Sequence, residues 1–305
     1  MRRMDLPDDE ALRWIVKTFA HLRAAHGGAI GAPALLQPTR EFFPDAFRPD
    51  GPSLDRLLRR MLDYAPLSSE IGVDLAVFEP EEGRAGGCGS SACGTGAGGR
   101  PAGGSVQELE SGSRVLLSAT DLGNPDVLAA SLARSMGALV LHEAGEAVDA
   151  QTSEIAAVVC GFGVLLANGA AVWAKACGGL RMAQATVLPV EEIAVALALF
   201  VAVHGPGASK ARKHLGATQR EAFEVASDWV DSNPWLVESM RDEPRRLESG
   251  SLDLEPVRGP LGQWLHKRRL EKAMRVQPKT AAPSMTDERR RRIEEVSALL
   301  DRPDS

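Results

Sequence analysis

Residues 125–146 read PDVLAASLARSMGALVLHEAGE, and the fold turns on how far this run continues as one helix. Asn124 followed by Pro125 is a helix start, because asparagine offers an oxygen to the first free amides and proline suits the first turn. Steps of four and three pick out Leu128, Leu132, Ser135, Leu139, His142, Glu146 and Asp149 along one face. The spacing predicts a helix from Pro125 to about Asp149, apolar at first and polar over its last turns. A histidine and two carboxylates that continue a core-facing stripe must be paired, solvated in a cleft or bound to a metal, since burying them bare is costly. The pattern therefore predicts a polar cleft at the end of this helix.

Around that helix the periodicity is mostly helical. Leu12, Ile15, Val16, Phe19 and Leu22 predict an amphipathic helix from Asp8 to Ala25, and Leu54, Leu57, Leu58, Met61 and Leu62 a second one capped near Ser53. Further helices are expected from Glu154 to about Cys177, Pro189 to His204 and Thr218 to Val230. Val73 to Phe78 reads as a strand, and Val106 to Glu110 with Arg114 to Ala119 as a hairpin turned at Ser111-Gly112-Ser113. The fold class is α+β, mainly α-helical, with a small β-sheet in the N-terminal half.

The main domain is expected over residues 8–232, followed by a charged helical extension, partly disordered, over 233–305, where Lys267, Arg268, Arg269, Lys272 and Arg289 to Arg292 concentrate basic charge. Ten of the 22 residues from Gly83 to Gly104 are glycine, too few apolar groups to offset ordering entropy, so this stretch reads as a flexible insert. Cys88 and Cys93 within it lack the second pair a zinc ribbon needs.

With 305 residues, 44% of them hydrophobic, the chain can bury an ordinary core. A net charge of −6 gives no general attraction to nucleic acid or anionic membrane, and no nucleic-acid motif stands out in the basic tail. The apolar run from Ile155 to Ala174 is long enough to span a bilayer, yet it carries Asn168 and lacks aromatic or basic anchors, so a buried core helix is expected rather than a membrane span. The N-terminus has no apolar signal region, and four cysteines form no disulfide framework, which together favour a cytoplasmic setting.

The chemistry-bearing run is His142-Glu143-Ala144-Gly145-Glu146. Two metal-binding side chains at i and i+4 of a helix can reach one ion, and a glutamate between them can act on the metal-bound water as general base. A carboxylate at Glu146 can ligate zinc beside His142, with Glu143 placed as the base. The same spacing equally suits a plain hydrogen bond between His142 and Glu146 one turn apart.

The chain resembles a group of uncharacterised bacterial zincin-like metallopeptidases, with His-Glu-x-x-Glu standing where that family has His-Glu-x-x-His. The likeness rests on Pro38 to Asp45, His142 to Glu146, Ser153-Glu154, Gly161-Phe162-Gly163, Ala167-Asn168, Glu191 to Phe200 and His214-Leu215, and covers roughly residues 8–232. It implies a zincin-like helical core and a metal site of His142, Glu146 and Glu154, the last from the start of the next helix, with Glu143 as general base. A carboxylate in place of the second imidazole adds negative charge and weakens activation of the bound water. The leading expectation is thus a degenerate homologue without peptidase activity, needing no cofactor and acting through an unidentified protein partner. The alternative is a metal-dependent hydrolase holding zinc at those three residues. Elsewhere, Asn168 is expected to be an internally bonded amide, and His204 to cap the carbonyls of its helix.

Overall fold

The computed structural model describes residues 4–31, 33–68, 71–79, 105–110, 112–176 and 179–257. The glycine-rich insert with Cys88 and Cys93, and the basic stretch from 258 to 305, lie outside the described residues.

Helix α1 (Asp9–Ile30) starts where Asp8 accepts a hydrogen bond from the Ala11 amide, and it buries Ile15, Val16, Phe19 and Leu22. Helix α2 (Gly51–Leu62) is capped by Asp50, three residues before the expected Ser53; the Asp50 carboxylate accepts from the Ser53 amide at 2.8 Å. The sheet follows: β1 (Val73–Phe78), β2 (Ser105–Leu109) and β3 (Gly112–Ser118) lie in the order β1-β3-β2. β2 and β3 form the expected antiparallel hairpin, Ser105 opposite Leu116, and β1 runs parallel to β3 with Val73 opposite Ser113. Val115 and Leu117 of β3 turn inward at the period of two that a half-buried strand requires. The fold is α+β and mainly helical.

After a 3₁₀ turn at Ala119–Gly123, α3 (Pro125–Glu143) begins with the Asn124 side chain accepting from the Asp126 and Val127 amides. The single helix expected from Glu154 to Cys177 is instead α4 (Ala150–Ala157), a π-turn at Val158–Phe162, α5 (Gly163–Ala170) and a hairpin of β4 (Val172–Ala176) and β5 (Gly179–Ala183). Gly161 makes the kink, with φ of 97°. A Cβ there would meet the Ala34 carbonyl oxygen at 2.1 Å, while the Gly161 carbonyl accepts from the Leu36 amide at 3.0 Å. The chain leading to Pro38 is thereby laid against the helix backbone. Of the apolar window within Ala150–Ala170, 94% is buried, as a core helix would have it.

The remaining helices are α6 (Val190–His204), α7 (Ala208–Lys213), α8 (Ala217–Ser232), α9 (Pro234–Asp242) and α10 (Arg245–Ser249). α6 is apolar almost all round and lies at the centre. The expected domain boundary after residue 232 is not a break in packing. Leu236, Met240, Leu247 and Leu252 are buried in the same core as Phe200 and Trp229, and the compact unit runs to Val257.

Candidate functional site

Helix α3 ends six residues earlier than its polar face predicts. The Gly145 amide donates to the His142 carbonyl at 3.0 Å and the Glu146 amide to the Leu141 carbonyl at 2.9 Å, with Gly145 left-handed at φ of 69°. Those two bonds close the helix in the double turn that glycine makes cheap, because it has no Cβ to strain. Asp149 belongs to the next element, capping α4 by accepting from the Thr152 amide. His142 and Glu146 are therefore not neighbours on one helical face.

Past the cap, Glu146 turns to α1. Its Oε1 meets Nε2 of His26 at 2.9 Å and its Oε2 meets Nε2 of His21 at 3.3 Å, while Nδ1 of His21 lies 3.5 Å from Glu248. One half-buried carboxylate thus bridges two imidazoles. Sequence reasoning missed His21 and His26, because five residues apart on an amphipathic helix they form no ligand spacing. Glu143 is exposed and accepts from the Ser68 amide at 2.9 and 3.2 Å. His142 and Glu143 border a surface cleft of about 410 Å³ with Ile71, Gly72 and Glu108, but Glu146 and Asp149, the other polar residues of the predicted stripe, do not line it.

Glu154 sits elsewhere. It is fully buried; Oε1 accepts from Nε of Arg134 and from the Val187 amide, and Oε2 from the Leu188 amide, all at 2.8 Å. Arg134, 2% exposed, also donates to the Ala185 carbonyl. Burial pushes the Glu154 carboxyl above its ordinary range, opposed first by the Arg134 charge and then by the two amides. Arg134 precedes His142 by eight residues, roughly 12 Å along the helix axis. The expected trio of His142, Glu146 and Glu154 is therefore not assembled: a glycine cap diverts Glu146, and a buried guanidinium claims Glu154. Among the described residues no group of three or more His, Cys, Asp or Glu side chains is arranged to hold a metal ion.

The other candidates are structural. The Asn168 amide donates to the His214 carbonyl at 2.9 Å and accepts from the Gly216 amide at 3.3 Å, as an internally bonded side chain should. The carbonyls at the end of α6 are taken by Arg241, which donates to Val203 and Ala202, and not by His204. His204 instead packs on Phe200, ring centroids 4.7 Å apart, and burial together with Arg23 and Arg241 holds its imidazole down at about 4.

One further concavity is built by the segment that carries the Pro38 to Asp45 resemblance. It is a groove of about 410 Å³ between that segment and helices α2, α3 and α5. Comparison with protein-family models, curated proteins and solved structures gives no match to this chain.

Proposed function

We propose that this chain is a zincin-like homologue without peptidase activity that acts by binding. The observation that carries the reading is the glycine cap at Gly145, which ends α3 between the two residues a metal-binding helix must keep on one face. The partners of two further carboxylates support it. Glu154 is held by Arg134 and two amides, and Glu143, the residue in the general-base position, receives the Ser68 amide.

Elemental analysis of the purified chain, with a peptidase assay alongside, tests the proposal. The expected result is zinc far below one per chain, unchanged in Glu146→Ala, and the same background hydrolysis for the parent and Glu143→Gln. One zinc per chain that is lost in Glu146→Ala, or hydrolysis abolished by Glu143→Gln, would overturn it in favour of a metal-dependent hydrolase.

A further inference from the structure

Two arginines and a histidine come together where the end of α6 meets α1 and α9. Nε of Arg23, on α1, donates to the Met240 carbonyl of α9 at 2.7 Å, and Nη1 of Arg23 lies 3.3 Å from Nε2 of His204. Nε of Arg241, the residue after Met240, donates to the Val203 carbonyl at 2.9 Å, and its Nη2 to the Ala202 carbonyl. These contacts close a ring from α1 to α9 to α6 and back to α1. Toward Arg23 the imidazole is the acceptor, so Nε2 of His204 carries no proton.

The ring leaves positive charge unbalanced. Neither arginine forms an ion pair among the described residues, and Glu238 and Asp242, the acidic neighbours of Arg241 on α9, both stay outside ion-pair distance. Burial and then the Arg241 charge hold the Arg23 guanidinium below its ordinary value. Burial, Arg23 and Arg241 hold His204 at about 4, and no carboxylate opposes them at either group. The carbonyl ends of α6 and α9 supply only about half a negative charge each, against a full positive charge on each arginine. Each guanidinium spends part of its N–H donors on these contacts and keeps the rest without an acceptor among the described residues. Arg241 is exposed, which opens the cluster to solvent.

We propose that Arg23, Arg241 and His204 form a binding site for a doubly charged phosphoryl group, either inorganic phosphate or the end of a phosphomonoester. A dianion offsets the repulsion between the two guanidiniums, and its several oxygens accept from both, whereas one guanidinium fork already fills a carboxylate. None of the three residues belongs to α3, so the site goes beyond the binding role above and does not depend on it.

Nuclear magnetic resonance of the His204 ring in the full chain provides the test, at constant ionic strength over a chloride background. At mildly alkaline pH, inorganic phosphate is expected to shift the ring signals saturably with a Kd of about 1 mM, the scale of two charge-assisted contacts. Acetate should bind about tenfold more weakly, and Arg241→Gln should weaken phosphate about tenfold. In the parent chain, sulfate, which stays a dianion in acid, should raise the His204 titration midpoint above about 4, because a bound anion favours the imidazolium. That midpoint needs no variant, so it decides the matter should Arg241→Gln disturb the end of α6, and helix capping alone would leave it unmoved. Methyl phosphate matching inorganic phosphate assigns the site to an ester, and its exclusion assigns it to the free ion. No saturable shift, acetate binding as tightly as phosphate, an unmoved midpoint in sulfate, or undiminished phosphate binding in a folded Arg241→Gln each overturns the site.

Discussion

The middle of α3 and its C-terminal end each face a carboxylate that a metal-binding helix would have used as a ligand, and the two carboxylates live in different environments. Glu154 meets the middle of the helix at Arg134, fully buried, with three donors at 2.8 Å. Glu146 lies just past the end, a quarter exposed, between His21 and His26. The first contact locks α3 to α4 and to residues 185–188; the second ties the turn after α3 to the outside of α1. Their worth to the fold is set by desolvation, since a buried charge loses everything when its partner goes and an exposed one falls back on water.

That contrast predicts its own largest break. Glu154→Ala leaves the Arg134 guanidinium buried without its counter-charge, and is expected to lower stability by about 3–5 kcal/mol in denaturant unfolding. The double variant Arg134→Met/Glu154→Leu, which removes both charges, should recover most of that loss. If Glu154→Ala alone shifts the midpoint only slightly, the pair is not the lock described. Gly137→Ala tests the same interface by shape: its Cβ would stand 1.9 Å from the Ser153 carbonyl oxygen and 2.7 Å from the Ala157 nitrogen. Overpacking there should cost about 1–3 kcal/mol by the same measurement.

What could be read from the sequence follows the same division between local and distant contacts. The start of α3 was legible because Asn124 and Pro125 act on their own first turn. The three-stranded sheet was legible because a period of two and a Gly-Ser turn are local signals. The end of α3 was misread although its signal was present: Gly145 and the capping Asp149 mark a stop and a new start, and the metal-motif reading carried the helix across both. The hairpin at 172–183 was hidden because Val172 and Trp173 extend the apolar run of α5 without interruption. The Arg134–Glu154 pair joins residues twenty apart, so spacing could not show it, although an arginine inside an apolar helix was a cue that a buried counter-charge existed.

At the C-terminal end of α3 smaller effects are expected. Gly145→Ala meets open space, so only the left-handed backbone is penalised, and a loss of about 1–2 kcal/mol should appear in thermal unfolding. A much larger loss would mean that the turn after α3 bears on the core. Glu146→Gln is the mildest change. It keeps the shape and a hydrogen-bonding oxygen while removing the charge that faces His21 and His26. With His21 half exposed, the expected loss is under about 1 kcal/mol and should shrink further in high salt, as for solvated ion pairs. A loss rivalling that of Glu154→Ala would erase the contrast between the two carboxylates, and would make the histidine bridge, not the buried arginine, the principal charge contact of α3.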